Sequence, residues 1–506
     1  MPYGSISQEE AYTGGYSAQY GRTDGGVISL IGKSGTNEWH FGGQAIYAPD
    51  ALRSSQRDTY YENGLPPNPV AGRLYDPNNA DTSSGTTYDL YLGGPLIKDK
   101  LFLFASMEKN TQSGVSVNNV ESGTASHYRN SDPKWYVNVD WNVTDNSVLE
   151  ITGASDERRT SGSIYNYDYA NQDDSSFKAL SNQTTQGGHM WSGKFTDYLT
   201  DSLTLNAMYG KMTTYNFSEP AGYDPSLTYL SNTLYQNPAL NGGTPITNAQ
   251  VISELQNLQN NYTTSNLRLG LSYVIGSHTV TVGIDNLVGR ANNQVEMASG
   301  PGYTWNYVHT NNPGSPAAAS LGVGAPANYP NGAAGYYVTR NVNNVGGNLM
   351  TNQKAQYIQD EWQVNDRWLV SLRLRNDSFD NTNDFADSYM KQTKPQWAPR
   401  LGFSWDVYGD SSFKVFGNAG RYFIGPPLAP GGAANSQTIT AQYFTYSGIA
   451  ADGTPTGLTP MSGPVDSDNR FGQPVDTRTV TAQNIKAQDQ GDDMLAFGNA
   501  AAPALL

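Results

Sequence analysis

The chain lacks cysteine altogether, and it is poor in basic residues and in long apolar runs. Zero cysteines among 506 residues exclude a disulfide scaffold, a cysteine-ligated zinc site and a thiol nucleophile. No run approaches the roughly 18 apolar residues of a membrane-spanning helix, which excludes a helical membrane protein. The 30 basic residues face 45 acidic ones, a net charge of −15. Nucleic-acid binding demands a basic footprint, so we expect no nucleic-acid partner.

What the chain does contain is aromatic and small polar residues. Aromatic residues make up 11% of the sequence, while charged residues make up only 15%, which argues against disorder. Glycine (53) and tyrosine (34) are abundant, which favours β structure with generous loops. Only 37% of the residues are hydrophobic. This combination suits a β-barrel of an outer membrane, whose strands need apolar residues only at alternate positions.

Alternation of apolar and polar residues is clearest over residues 134–143. One parity there is entirely apolar: Trp135, Val137, Val139, Trp141 and Val143. The same period of two recurs along the chain and predicts strands rather than helices. Fourteen strands are predicted, near 37–48, 84–97, 100–109, 134–143, 147–157, 186–199, 202–217, 262–276, 277–291, 353–364, 367–379, 395–408, 411–423 and 484–498.

The connections between these strands alternate between long and short after the first strand. The long ones are residues 49–83, 110–133, 158–185, 218–261, 292–352, 380–394 and 424–483. Long loops at one end and tight turns at the other are typical of an antiparallel transmembrane β-barrel of the outer membrane. In such a barrel Arg268, Arg373 and Arg375 face the lumen. Aromatic girdles at the interfaces are predicted for Trp135, Trp141, Trp362, Trp368, Tyr408 and Tyr422. The alternative is that these aromatic residues form the core of a soluble all-β protein.

The segment 13–43 resembles the end of the plug and the start of the barrel in TonB-dependent outer-membrane receptors, most closely the Oar-like branch. The matching residues are Tyr20, Gly21, Arg22, Gly25, Gly26, Val27, Ile28, Lys33, Ser34, Gly35, Thr36, Asn37 and Glu38. Residues 92–110, 357–381 and 398–423 are similar to the same branch, in the same order. The resemblance implies residues 1–36 as a C-terminal remnant of the plug domain and residues 37–506 as a partial β-barrel with long extracellular loops.

The resemblance also implies roles for several residues. The plug would sit inside the barrel as a gate, where Gly25 and Gly26 allow a tight backbone approach or a positive φ. Arg22 would pair with carboxylates of the plug or of the barrel wall. Asp360 and Glu361 would pair structurally within the barrel. The alternative for residues 13–43 is a hairpin and linker leading into the first strand.

The chain departs from the complete family pattern in several respects. Such receptors have a signal sequence, a TonB box, a full plug and 22 strands, whereas this sequence predicts a short plug remnant and fourteen strands. We therefore expect a fragment, without a TonB box, that does not form a transport-competent barrel alone, because an open sheet edge cannot lie in lipid.

Motifs for other chemistry are weak. Gly32-Lys33-Ser34 lacks the glycine spacing of a phosphate-binding loop, and no helix pattern comes after it. The five histidines are scattered, so no zinc site is predicted, and His278 is expected to be solvated or to cap a turn. The oxygen-rich stretches 380–384 and 466–469 do not fit a calcium loop. Carboxylate pairs for glycoside hydrolysis remain open, since their separation is three-dimensional. No catalytic residue, cofactor or metal is predicted.

By resemblance, the predicted function is energised transport of a large ligand (a peptide, a glycan or a siderophore) across the outer membrane of a Gram-negative bacterium. The expected partners are outer-membrane lipid and, in an intact receptor, the TonB energy-transducing complex. Loop aromatics are the candidate ligand contacts: Tyr60, Tyr61, Tyr75, Tyr165, Tyr167, Tyr169, Tyr303, Trp305 and Tyr307. The alternative is that these aromatic rings only order the long loops. The alternative functions are a plug-less porin-like channel and a surface adhesin, neither of which depends on inner-membrane energy.

Overall fold

The fold is known from a computed structural model of the chain. It describes residues 2–23, 25–61, 72–120, 122–318, 323–326, 329–330, 334–383, 386, 388–392, 394–425, 428, 438–461 and 475–476. Almost all regular structure in this part of the chain is β-strand. There is one short helix, α1 (Pro238–Asn241), and four 3-10 turns. Within the same residues, no helix combines the length and the apolar character needed to cross a membrane.

One antiparallel sheet forms the wall of the molecule. It is thirteen strands wide, and at two of these places two successive strands lie end to end. In chain order its strands are β3 (His40–Ala48), β6 (Thr82–Ile97), β7 (Leu101–Val117), β8 (Thr124–Thr144), β9 (Ser147–Ser155) continued by β10 (Arg158–Asp168), β11 (Asp173–Leu180) continued by β12 (Gln183–Thr200), β13 (Leu203–Glu219), β16 (Asn261–Ile275), β17 (His278–Ala298), β19 (Tyr336–Asn365), β20 (Trp368–Thr382), β22 (Gln396–Asp406) and β23 (Lys414–Gly420). Each strand pairs with its neighbour in sequence, as in an up-and-down barrel.

The remaining strands have two to eight residues and lie mostly among the long connections. They are β4 (Thr59–Tyr60), β5 (Leu74–Asp76), β14 (Leu230–Ser231), β15 (Glu254–Gln256), β18 (Thr304–His309), β21 (Ser388–Lys391), β24 (Thr438–Thr445), β25 (Gly448–Ile449), β26 (Pro455–Thr456), β27 (Thr459–Pro460) and β28 (Val475–Asp476). A separate hairpin precedes the wall and pairs β1 (Ile6–Tyr12) with β2 (Val27–Gly32). We call β1, β2 and their connection, residues 13–26, the inner hairpin, and the connection alone the inner loop.

Alternation decides which way each wall residue points. In β22 Arg400 and Gly402 are buried, whereas Leu401 and Phe403 are exposed. In β16 the exposed residues Leu267, Leu269 and Leu271 alternate with the less exposed Arg268. A wall with an apolar outer face and a polar inner face is the arrangement that a lipid bilayer requires of a barrel. The prediction of lipid-facing and lumen-facing parities is therefore confirmed.

Thirteen of the fourteen predicted strands are present near their predicted positions, and the fourteenth, 484–498, lies outside the described residues. Several strands are longer than predicted. β7 and β8 extend through residues 110–117 and 124–133, and β19 begins at Tyr336, all inside intervals predicted as loops. These extensions are rich in Thr, Ser and Asn on both faces, so they lack the apolar alternation on which the prediction relied.

Three long connections assemble into one unit at the long-loop end of the sheet, which we call the headpiece. It comprises α1, β14, β15, β18, β24 to β27 and the upper parts of β17 and β19. Its core is the buried cluster of Trp305, Tyr307, Val338 and Tyr446. The hydroxyl of Tyr307 donates to the carbonyl of Gly453 at 2.6 Å. Burial raises the pKa of Tyr446 to about 12, and its oxygen accepts a hydrogen bond from the amide of Asn237.

Candidate functional site: the inner loop and the wall

The inner hairpin lies against the inward face of the wall on both sides. On one side a Cβ on Gly32 would lie 2.0 Å from the Tyr136 hydroxyl of β8. The same strand holds the two residues that follow the hairpin, because the Tyr136 hydroxyl donates to the carbonyl of Lys33 and Asn138 donates to the Ser34 hydroxyl. On the other side the inner loop contacts β17, β19, β20 and β22. Because β8 and β22 are far apart in the sheet, the wall must curl around the hairpin. The enclosed space keeps a polar cavity of about 600 Å³ beside Tyr20 and Ser34.

Three wall arginines hold the backbone of the inner loop, and we call them the arginine clamp. Arg373 donates to the carbonyl of Gly15. Arg375 donates to the carbonyls of Ala18 and Gln19 at 3.0 and 3.2 Å. Arg400 donates to the carbonyls of Tyr16, Ser17 and Tyr20 at 3.2, 3.0 and 2.8 Å. The clamp thus satisfies every carbonyl from residue 15 to residue 20 with a charged donor, the strong kind of hydrogen bond.

Carboxylates of the wall hold the clamp in place. Glu361 accepts from Arg373 at 2.6 Å, and Asp377 accepts from Arg375 at 2.9 Å. Asp285 of β17 accepts from Arg375 at 2.9 Å, and both side chains are fully buried. Buried charges persist only where they are paired and hydrogen-bonded. These ion pairs therefore hold the side chains of Arg373 and Arg375 in one position.

Asp285 also joins the wall to a side chain of the inner loop. Arg22 donates two hydrogen bonds to Asp285, one from Nη1 to the carboxylate and one from Nη2 to the backbone carbonyl, both at 2.6 Å. The Nε of Arg268 lies 3.7 Å from the same carboxylate, and the guanidinium of Arg268 lies over the ring of Tyr20. Three guanidinium groups thus converge on one carboxylate. The expected pairing of Arg22 with a wall carboxylate is present in this geometry.

The remaining residues of the 13–43 motif occupy different positions. Tyr20, Gly21 and Arg22 lie in the clamped part of the inner loop, and Arg22 has a positive φ of 64°. A Cβ on Gly21 would lie 2.4 to 2.6 Å from the guanidinium atoms of Arg375, and a Cβ on Gly26 would lie 2.7 Å from the carbonyl of Tyr12. Gly25 has open space around it, and neither Gly25 nor Gly26 has a positive φ. Only the close approach at Gly26 therefore agrees with the role suggested for this pair.

Residues 33–37 lead from the inner hairpin to the wall. The Lys33 amide donates to Ser5, and a Cβ on Gly35 would lie 2.5 Å from the carbonyl of Leu103. The Thr36 hydroxyl bonds locally to Glu38, while Asn37 exchanges two hydrogen bonds with Asp99 in the turn after β6. The segment therefore fastens the hairpin to the short-turn end of the wall.

One assignment from the sequence needs correction. Tyr422 is not an interfacial girdle residue, because its ring packs on Tyr16 and on Arg400 and its hydroxyl accepts from the amide of Gly15. Tyr422 lies just past a strand end, where alternation alone does not fix the side-chain direction. His278 keeps 39% of its side chain exposed, in agreement with the expected solvated position beside a turn. Its Nδ1 also lies 2.8 Å from Asp360, and its ring stacks on Trp362. The structural pairing suggested for Asp360 and Glu361 is present.

The loop aromatics fall into two groups. Trp305 and Tyr307 are buried in the headpiece core, so they pack rather than offer a surface to a ligand. The other group retains exposed surface: Tyr60, Tyr61, Tyr75, Tyr165, Tyr167, Tyr169 and Tyr303. Within it, the ring pairs Tyr61–Tyr75 and Tyr167–Tyr169 each have centroids 5.0 Å apart. Among the described residues, no group of three His, Asp or Glu side chains is arranged to hold a metal ion.

Sequence reasoning missed Gln359 and Arg400 as inner-loop contacts and left Asp285 without a role. A signal was present for Arg400, because it occupies the inward parity of a strand whose outward residues, among them Leu401 and Phe403, are apolar. The outward parities beside Gln359 and Asp285 mix apolar and polar residues, so the signal for these two was weaker. Gln359 accepts from the Ser17 hydroxyl at 2.6 Å and from the Ala18 amide at 3.0 Å. A long polar or charged side chain at an inward position is the feature that marks a wall contact here.

A curled antiparallel sheet with an apolar outer face and a polar inner face is the wall of a transmembrane β-barrel. The sequence profile described as TonB dependent receptor-like, beta-barrel, matches residues 160–463. The chain belongs to this family. Proteins of the family are transporters of the Gram-negative outer membrane and not enzymes, and the chain is assigned to that membrane.

The chain is also similar to individual proteins. A stretch of 93 residues, 18% of the chain, is 34% identical to the TonB-dependent transporter Oar of Myxococcus xanthus and covers 8% of that protein. The outer membrane transporter YddB of Escherichia coli superposes with a TM-score of 0.51 at 13% identity, over 88% of this chain and 55% of that one. The siderophore receptor PirA of Acinetobacter baumannii gives a TM-score of 0.46 at 13% identity, over 88% and 56%. The chain thus spans about half the length of these two structures.

The contact between Gly21 and Arg375 gives a direct test of the clamp geometry. We expect Gly21→Ala to destabilise the inner loop by about 1–3 kcal/mol, because the added methyl group must displace the guanidinium. Hydrogen exchange of the amides of residues 15–23 measures this opening free energy. Gly25→Ala is the matched control, since a methyl group there meets open space, and we expect a change within about 0.5 kcal/mol. Equal effects of the two substitutions would contradict the tight contact.

Proposed function

We propose that the protein transports a large ligand across the outer membrane and that the inner loop is part of its gate. The observation that carries the proposal is the arginine clamp, which fixes a hairpin inside the barrel through backbone carbonyls. Such a hairpin obstructs the lumen while the clamp holds, and it must move before a large solute passes. The clamp therefore gives the closed state, and opening requires work on the inner hairpin.

The energy for opening would come from the TonB complex of the inner membrane, as the family membership suggests. Residues 1–36 then belong to the plug, and residues 37–506 supply barrel wall and extracellular loops. Short turns, as between β16 and β17, would face the periplasm, and the headpiece would face the outside. The exposed tyrosines, among them Tyr60 and Tyr303, are the proposed ligand contacts, because their rings can stack on a peptide, a glycan or a siderophore.

Closure of the wall is a further part of the proposal. Among the described residues, β3 pairs only with β6, and β23 pairs only with β22. These two edges expose unpaired backbone groups, which lipid does not tolerate. We propose that transport requires further strands between β23 and β3, and that the wall described here is not competent alone.

Energy dependence tests the proposed function against the porin-like and adhesin alternatives. Cells that carry the full receptor are compared with cells that lack it, and loss of large solutes from a complex medium is followed by mass spectrometry. We expect at least one solute to be depleted only by cells with the receptor, and only with an intact TonB complex. Depletion that persists without TonB would instead indicate a porin-like channel, and no depletion under any condition would indicate an adhesin.

A further inference from the structure

Two wall strands extend far beyond the barrel into the headpiece. β19 has 30 residues and β17 has 21. At full strand rise β19 is roughly 100 Å long. Its lower part pairs with β17 and β20 in the wall, and its upper part pairs with β18 and β24 in the headpiece. The antiparallel pair β17–β19 is therefore a continuous ribbon between the two regions.

The same ribbon contacts the inner loop at its lower end. Gln359 of β19 holds Ser17 and Ala18, and Asp285 of β17 holds Arg22. At the upper end, Asn343 of β19 donates to Glu254 of β15 at 2.8 Å. One pair of strands thus links the headpiece to the part of the inner loop that the clamp fixes.

The ladder of this ribbon contains one register shift between these ends. Ala291 pairs with Leu349 and Gln294 pairs with Gly347, so two residues of β17 oppose one residue of β19. This count defines a β-bulge, which bends a strand and redirects the segment beyond it. Gly346 and Gly347 have φ values of 106° and 146°, and a Cβ on Gly346 would lie 1.7 Å from the carbonyl of Gln294. Glycine is therefore required at the first of these positions.

We propose that Gly346 and Gly347, with the bulge opposite them, form a hinge on which the headpiece turns, and that β17 and β19 transmit this motion to the inner loop. Adjacent glycines add no side-chain packing to the joint, whereas the ladders above and below it are regular. Hinges of this kind concentrate the φ and ψ changes of a motion in a few residues. The inference rests on the proposed function, in which the headpiece meets the ligand and the inner loop is the gate.

These 506 residues contain no cysteine, so cysteines introduced at chosen positions among them can carry spin labels that test the hinge in the full receptor in lipid nanodiscs. One pair of labels replaces Leu234 in the headpiece and Met212 on the wall, both of which are exposed. A single label at Gln19 reports the mobility of the inner loop. We expect Gly346→Ala to shift the headpiece-to-wall distance and to raise the mobility at residue 19. Gly193→Ala in β12, where a methyl group meets open space, is expected to change neither reading.

Each other outcome overturns the inference. A distance shift without a change at residue 19 would rule out transmission, and no shift in either reading would rule out the hinge. If Gly346→Ala fails to assemble, hydrogen exchange of the unaltered receptor decides. We expect amides of residues 292–294 and 346–348 to exchange about tenfold faster than those of the ladders on either side. Uniform protection would contradict the hinge. These readings do not involve uptake, so they fail independently of the transport proposal.

Discussion

Replacing Arg375 by alanine is expected to free the inner loop from the wall at a cost of about 3–5 kcal/mol. The side chain is fully buried and donates to the carbonyls of Ala18 and Gln19 and to the carboxylates of Asp285 and Asp377. Its loss leaves buried acceptors without a donor and leaves Asp285 with a weaker set of partners. Unpaired buried charge is far more costly than the loss of a surface ion pair.

Trypsin offers a simple measurement of this release, because Arg22 lies within the inner loop. In the unaltered protein Arg22 is held against Asp285, so we expect cleavage after residue 22 to be slow. In Arg375→Ala the loop opens and cleavage at this bond becomes fast. Arg375→Lys is expected to resemble the alanine variant, because an ammonium group cannot reproduce the branched set of hydrogen bonds.

The matched control is Arg158→Ala in β10. Arg158 also forms a two-point contact with a carboxylate, that of Asp132, but about half of its side chain is exposed. Such a pair is worth roughly 0–1 kcal/mol, so cleavage after Arg22 should stay slow. An Arg375→Ala protein that resists trypsin at residue 22 as well as the unaltered protein would contradict the clamp.

Replacing Asp285 by asparagine is expected to have the second largest effect, about 3 kcal/mol on the opening of the inner loop. Asparagine keeps the shape of the side chain but removes the negative charge on which Arg22, Arg268 and Arg375 converge. The three guanidinium groups then repel one another. Arg22 is the one that moves away, because it lies on the inner loop, whereas Arg268 and Arg375 lie on wall strands. Hydrogen exchange of the amides of residues 15–23 measures the opening free energy.

A double-mutant cycle separates this charge effect from general damage. Adding Arg22→Gln to Asp285→Asn removes one of the repelling cations, so we expect the double variant to be less unstable than the sum of the two single variants. The coupling should be about 1–3 kcal/mol. Asp377→Asn serves as a graded comparison, because Asp377 is partly exposed and bonds only Arg375 in this cluster. Additive effects of Asp285→Asn and Arg22→Gln would contradict the shared ion cluster.

The wall was predictable because apolar and polar residues alternate in the sequence of its strands. Leu401 and Phe403 point outward and Arg400 inward, and the same rule places Arg268, Arg373 and Arg375 on the inner face. The upper parts of β8 and β19 were not predictable in the same way. They are polar on both faces and are ordered by pairing with distant segments such as β10 and β24, which a single sequence does not reveal.

The candidate site was predictable in its parts but not in its assembly. The inward arginines and the motif around Arg22 were both visible in the sequence. Which carboxylate meets Arg22 depends on how far the wall curls, and 263 residues separate Arg22 from Asp285. The clamp binds backbone carbonyls, so the side chains of residues 15–20 carry no signal for it. Tyr422 was misplaced because its position suits an interface equally well.

The central claim is that the inner loop lies inside the barrel against the wall near β23. Disulfide trapping in the assembled receptor tests it most directly, because the chain has no cysteine of its own. A Cβ on Gly15 would lie 2.8 Å from the Cβ of Asn418, and Gly15 has a φ of 61°. A disulfide between cysteines at these positions therefore needs a shift of about 1 Å and carries about 1–2 kcal/mol of backbone strain at residue 15. Gly25→Cys with Asn418→Cys is the control pair, since a Cβ on Gly25 has no neighbour within 4 Å. The account predicts rapid cross-linking of residues 15 and 418 in outer-membrane preparations and little of residues 25 and 418. Equal yields for the two pairs, or none for the first, would contradict it.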